Sequence, residues 1–251
     1  MSEILTAAAD GILTITINRP DKKNALTSAM YAAMADALEA ADKDQTIRVV
    51  LFAGHRDAYT AGNDLQDFLN NPPQGEDAPV FRFLRNINTA SKPLIAAVSG
   101  VAVGVGTTML LHCDLVYAAE NAKLSLPFVN LALVPEAASS LLLPAMVGHH
   151  RAAELLLLGE PFTAATAKEY GIVNAVYAED RLLDEAKAVA RKLAAKPPTA
   201  VRLTKQLLRQ SKGDVAAQMA AEGTHFRAQL KSAEAREAMT AFFEKRPPKF
   251  T

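Results

Sequence analysis

Residues 11–18, GILTITIN, alternate Leu13, Ile15 and Ile17 with Thr14 and Thr16, the two-residue period of a half-buried strand. From Thr27 the period lengthens. Leu26, Met30, Met34, Leu38 and Ala41 recur every three or four residues while Asp36, Glu39 and Asp42 fall largely elsewhere, which predicts an amphipathic helix. IRVVLFA at 47–53 reads as a buried strand running into a polar, glycine-containing loop, GHRDAYTAGNDL at 54–65. Further strands are predicted over 94–98, 114–118 and 172–176, with helices near 104–112, 136–147, 150–158 and 163–170. Strands and helices thus interleave as far as about residue 180, as in an α/β core. Beyond that point the strand signals stop, and the segments from EDRLLDEAKAVARKLAAK to SAEAREAMTAFFEKR all carry helical spacing. Pro197-Pro198, Gly213-Asp214 and Ser232 mark the joints, Ser232 as an N-cap. The pattern divides the chain into a core over 1–190 and a helical region over 191–251.

Composition narrows the range of functions. With 27 basic side chains balanced by 27 acidic ones, no overall field favours nucleic acid or an anionic membrane surface. Cys113 is the sole cysteine, so an internal disulfide is excluded and a small buried apolar role in a reducing compartment is expected. The N-terminal stretch MSEILTAAADGILTITINRP has no basic n-region and no uninterrupted apolar core, so no export signal is read and a cytoplasmic location is expected. Leu94 to Leu111 is free of charge over 18 residues, the length of a minimal membrane span. Gly100, Gly104, Gly106, Ser99, Thr107 and Thr108 interrupt it, however, and after Pro93 it reads as a strand, a turn and a helix. His149 and His150 are adjacent and diverge on a helix, and His55, His112 and His225 have no partner at ligand spacing, so no metal site is expected.

The candidate chemistry lies in two glycine-containing loops and one glutamate. No Lys-Ser/Thr follows Gly100, Gly104 and Gly106, and the third glycine of a dinucleotide fingerprint is absent, which argues against both nucleotide loops. Such glycines do let amide N–H groups at a helix start approach a ligand oxygen. Ala61-Gly62 in YTAGNDL offers the same opening, with Asn63 and Asp64 placed to cap a following helix. Two converging amides would form an oxyanion hole, which stabilises charge developing on a carbonyl oxygen. Glu136, in LVPEAASS, has two readings: a first-turn carboxylate favoured by a helix dipole, or a base whose pKa is raised if Leu133, Val134, Ala137 and Leu141 close over it.

YTAGNDL, KPLIAAVSGVAVGVGTTMLLHCDLVYAAENAKLSLP and LALVPEAASSLLLPAMVG, with NRPDKKNAL before them and FFEKRPPKF at the end, resemble successive motifs of the enoyl-CoA hydratase/isomerase (crotonase) superfamily. GVAVGVGTTMLLHCDLVY and PEAASS resemble its Δ3,Δ2-enoyl-CoA isomerase branch. The resemblance implies an α/β, crotonase-like (ClpP/crotonase) spiral of ββα units, with the C-terminal helices serving assembly into a homotrimer or dimer of trimers. It implies a coenzyme A thioester as substrate and no other cofactor. It places the oxyanion hole on the N–H groups of Ala61 and Val105, the base on Glu136, and coenzyme A along Gly62, Asn63, Asp64 and Leu65. Lys22, Lys23, Lys245 and Arg246 are candidates for the phosphates, with solvated surface charge as the alternative.

The positions of the two hydratase glutamates read Thr108 and Phe128, neither of which moves a proton at neutral pH. The expectation is a one-base shift of a double bond in 3-enoyl-CoA to 2-enoyl-CoA. Its rivals are hydration, hydrolysis or another enolate reaction within the superfamily, and non-catalytic acyl-CoA binding. Residues 65–91, the variable acyl-side region in this resemblance, are expected to form a loop made mobile by its prolines.

Overall fold

The computed structural model describes residues 2–55, 57–75, 77–210 and 213–250. Arg56, Glu76 and Ser211, which fall in segments read above as loop or helix, lie outside them. The strands are β1 (Ile4–Ala9), β2 (Ile12–Ile17), β3 (Val49–Gly54), β4 (Ala58–Thr60), β5 (Leu94–Val98), β6 (Val101–Val103), β7 (Leu115–Ala119), β8 (Lys123–Ser125), β9 (Phe162–Thr163) and β10 (Ala175–Tyr177). The helices are α1 (Ser28–Lys43), α2 (Leu65–Asn70), α3 (Pro79–Thr89), α4 (Val105–Thr108), α5 (Ser139–Val147), α6 (His149–Leu158), α7 (Ala164–Glu169), α8 (Glu179–Ala194), α9 (Pro198–Gln210), α10 (Val215–Leu230) and α11 (Ala233–Glu244).

Strands pair into two sheets. A larger one runs β1-β2-β3-β5-β7-β10, parallel except for the β1–β2 hairpin, and a smaller one runs β4-β6-β8-β9, parallel except at β9. Each of β3, β5 and β7 in the first sheet is followed directly by β4, β6 and β8 in the second, so the chain repeats a two-strand step from sheet to sheet. Both faces of the central strands β3, β5 and β7 are buried, which is why they read as apolar runs. Val49, Leu51, Ala53, Ile95 and Ala97 pack under Leu182, Ala186 and Ala190 of α8, while Val50, Phe52, Leu94, Ala96 and Val98 face the main core.

Ala190 is fully buried against the sheet, so α8 packs on the core up to the boundary read at residue 190 and runs on to Ala194, and α9 starts at Pro198. The segment 65–91 is corrected, since α2 and α3 occupy much of it. Val80, Phe83, Leu84 and Ile87 of α3 are buried at helical spacing, with Phe83 packed on Tyr31 of α1 and Phe52 of β3. Arg82 adds a two-pronged contact to Glu39 of α1 at 2.7 and 2.8 Å. Pro79 stands at the start of α3, where a missing N–H costs the helix nothing. No helix among the described residues is long and apolar enough to cross a membrane, and 94–111 is divided among β5, β6, α4 and a short 3₁₀ turn.

Candidate active site

The loops that follow β4 and β6 lie against each other because two glycines leave room. A Cβ on Gly62, whose φ is +87°, would fall 2.7 Å from the Val103 carbonyl oxygen, and one on Gly106 would fall 2.6 Å from Thr60 Cγ2. Any larger residue at either place would push the loops apart.

Hydrogen-bond accounting shows which amides remain for a ligand. Ala61 N–H donates to Lys23 O at 2.9 Å, Gly62 N–H to Thr60 Oγ1 at 3.0 Å, and Asp64 N–H to Leu26 O at 2.8 Å. Asn63 N–H has no acceptor among the described residues. Val105 N–H, at the first position of α4, likewise has none, as expected for a helix N-terminus. Asn63 and Val105 line one cavity of about 410 Å³, with Ala61, Gly62, Leu65 and Phe128. The donor expected on Ala61 is therefore corrected by two residues: the Ala61 amide is consumed inside the loop, and the open donor is Asn63. Tyr31, buried on α1, donates its hydroxyl to Asn63 Oδ1 and fixes that side chain.

Glu136 lies on a second cavity of about 380 Å³, walled by α3 and α10 and including Val80, Leu84, Met219 and Arg227. Phe68 and Phe226 border both cavities, so the two are neighbours across these rings. Glu136 is 7% exposed, and its Oε1 accepts one hydrogen bond, from Thr108 Oγ1 at 2.8 Å. Burial pushes its carboxyl up to about 7; the Thr108 hydroxyl opposes this and the negative charge of Glu222 adds to it. Tyr31 is close enough for Glu136 to raise its pKa too, after the larger effect of burial. Of the residues expected to enclose Glu136, Leu133 and Ala137 are buried, while Val134 and Leu141 are partly buried against the core. Glu136 precedes α5 rather than sitting in its first turn, which removes the simple helix-dipole reading.

The turn that presents Glu136 is strained. Ala137 and Ala138 have φ of +59° and +55°, a left-handed conformation that costs an alanine about 1–2 kcal/mol per residue. It persists because both sides are tied down. His112 Nε2 donates to Ala137 O at 2.7 Å, and Glu222 of α10 accepts from Ala138 N–H at 2.6 Å and Ser140 N–H at 3.0 Å.

The remaining candidates separate cleanly. Asp64 caps α2, accepting from Gln66 N–H at 3.0 Å and Asp67 N–H at 3.1 Å, and pairs with Arg19 at 2.7 Å; these structural duties occupy it, and it does not line the cavity expected to hold coenzyme A. Lys22, Lys23 and Lys245 are exposed and line neither cavity. Arg246 does reach the Asn63–Val105 cavity, but its guanidinium is held by Glu237 at 2.6 and 2.9 Å and by Glu244 at 2.5 Å. Sequence reading missed Glu222 and the Asn63 amide. The signal for Glu222 was a charge on the buried stripe of α10, between Val215 and Phe226.

Comparison with known proteins gives the family and the fold. A solved enoyl-CoA hydratase/isomerase from Pseudoalteromonas atlantica T6c superposes with a TM-score of 0.95 at 45% identity, covering 100% of both chains. The 1,2-epoxyphenylacetyl-CoA isomerase of Escherichia coli (strain K12) is 37% identical over 100% of this chain and 99% of its own length. Enoyl-CoA delta isomerase 2 of Rattus norvegicus is 38% identical over 97% of this chain and 64% of its own length. The family described as Enoyl-CoA hydratase/isomerase matches residues 7–251. With its crotonase fold and a family match over residues 7–251, this chain belongs to the enoyl-CoA hydratase/isomerase family.

Proposed function

We propose that the protein converts a 3-enoyl-CoA to the 2-enoyl-CoA by moving one double bond, with Glu136 as the only base. One observation carries this reading: among the described residues lining the two cavities, Glu136 is the sole side chain able to take up and return a proton near neutral pH. Hydration by paired glutamates calls for a second carboxylate. Thr108 instead donates to Glu136, and Phe128 is an apolar wall.

The reaction follows from the placement of these groups. The thioester oxygen sits between the Asn63 and Val105 amides, where charge is stabilised without reorganising solvent. Ionised Glu136 removes a proton from C2, the electron pair delocalises onto that oxygen, and the protonated carboxyl returns the proton at C4. The double bond then lies at C2=C3 and the oxidation level is unchanged, so the chemistry calls for no redox cofactor. A pKa of about 7 leaves the carboxyl able to act in both steps at neutral pH. Coenzyme A approaches along Gly62, Asn63 and Leu65, and the apolar cavity between α3 and α10 takes the acyl chain. Leu203, Leu207 and Leu208 of α9 and Leu157 and Leu158 of α6 are exposed, and assembly into a trimer or dimer of trimers would cover them.

The test is Glu136→Gln, which keeps shape and removes the base. Turnover of a 3-enoyl-CoA should fall by roughly 10²-fold or more with acyl-CoA binding retained. Activity within about threefold of wild type would remove Glu136 from the reaction, and equal or faster hydration of a 2-enoyl-CoA by the wild-type protein would replace isomerisation with hydration.

A further inference from the structure

Glu222 lies outside both cavity walls and is not part of the reaction just described, yet it is 6% exposed and spends its acceptors on the turn that carries Glu136. Its Oε2 accepts from Ala138 N–H at 2.6 Å, and its Oε1 accepts from Ser140 N–H at 3.0 Å and from the Ser140 hydroxyl. Gln218, one turn earlier on α10, donates to Ser140 Oγ at 2.7 Å, which directs the Ser140 proton toward Glu222. The backbone donors cannot accept in return and favour the carboxylate, while burial pushes the Glu222 carboxyl up. Its side chain is thereby held 84 residues along the chain from Ala138, beside the left-handed pair Ala137-Ala138.

We propose that Glu222 is a positioning residue for Glu136: its hydrogen bonds hold the strained turn so that the Glu136 carboxyl faces the cavity. The proposal rests on the reading of Glu136 as the base. It makes α10, an outer helix, part of the active-site support. The groups facing the two carboxylates are few. Ala138 and Ser140 come from the start of α5, Gln218 from α10, Thr108 from α4 and Tyr31 from α1, with His112 holding the Ala137 carbonyl from the other side.

Glu222→Gln in the full-length protein separates aiming and tuning from mere structure. An amide can accept at its oxygen, but its NH₂ faces a donor at the other position, and the charge is gone. Isomerisation of a 3-enoyl-CoA should lose roughly 10-fold in kcat with KM within about twofold, as for a group acting on the transition state alone. The ¹³C-carboxyl titration of Glu136, assigned by its loss in Glu136→Gln, should move to lower pH by roughly half a unit or more. A kcat within about twofold of wild type, or a loss carried by KM alone, overturns the proposal. A wild type that fails to isomerise 3-enoyl-CoA overturns the reading of Glu136 as an isomerase base, and the Glu136 titration then still reports whether Glu222 acts on it. If Glu222→Gln does not fold, Ser140→Ala decides: removing one donor should lower kcat about threefold at constant KM, and an unchanged kcat counts against the proposal.

Discussion

Glu136 and Lys205 are buried to nearly the same degree, 7% and 5% exposed, where the core meets the outer helices, and they are supplied with partners in opposite ways. Lys205 of α9 donates to Asp114 Oδ2 at 2.7 Å and to Lys92 O at 2.6 Å, and the same Asp114 oxygen accepts from Leu94 N–H at 2.7 Å. Glu136 has a single donor, Thr108, and opens on a cavity. Burial drives the lysine down to about 8 and the glutamate up to about 7. At pH 7 the lysine therefore remains mostly charged beside its carboxylate, while the glutamate is divided between its two forms. Similar burial yields a structural joint in one place and, in the function proposed above, a proton shuttle in the other, and the number of fixed partners makes the difference.

Removing the partner should break the joint with the largest effect. Asp114→Ala leaves Lys205 as an uncompensated buried charge and strips Leu94 N–H of its acceptor, a loss of about 3–5 kcal/mol. Because the Asp114 side chain is 29% exposed, the lower end of that range applies. Urea unfolding measures it, and turnover per folded molecule should be unchanged. A midpoint that stays put would mean that the hydrogen bond to Lys92 O suffices and that the comparison overstates the ion pair.

The glutamate should behave in the reverse sense, since its removal relieves the fold. A carboxyl whose folded pKa lies near 7 binds more protons folded than unfolded between pH 4.5 and 7, so the wild type loses stability as pH rises through that window. Glu136→Gln does not titrate. It should match the wild type at pH 4.5 and exceed it above pH 7 by on the order of 3 kcal/mol, as read from urea curves at several pH values. A difference that does not change with pH would show that the carboxyl is not held against desolvation.

The two sites also differ in how far the chain disclosed them. Strands with runs of buried residues, such as 47–53 and 94–98, and helices with a continuous apolar stripe, such as α1, were legible because burial and period coincide. The smaller sheet was not, since β4, β6 and β8 are three residues each and β9 two, too short for any period to show. Pro72, Pro73 and Pro79 disguised α3 although Val80, Phe83, Leu84 and Ile87 carry helical spacing. Glu136 stood out as a lone carboxylate in an apolar run. The open amide of this loop was read two residues early because sequence does not say which amides the loop spends on Lys23 O and Thr60 Oγ1. Neither the Lys205–Asp114 pair, 91 residues apart, nor the Glu222 brace could be read before the chain was folded.

The smallest expected effect sharpens the contrast most finely, since it takes from Glu136 its one fixed donor. In Thr108→Val the carboxylate loses a hydrogen bond that favours the charged form, while burial and the charge of Glu222 remain. The carboxyl should then titrate at still higher pH, and less of it is ionised at pH 7 to take the C2 proton. Turnover at pH 7 should fall by roughly 5-fold and return toward the wild-type plateau by about pH 9, since a hydrogen bond to a charged group is worth about 1.5–3 kcal/mol and part of that is recovered by relaxation. The pH profile of kcat/KM for a 3-enoyl-CoA, measured for both proteins, decides it. A uniform loss at every pH would mean that Thr108 orients Glu136 rather than setting its basicity, and a profile moved to lower pH would reverse the assigned role of the hydroxyl.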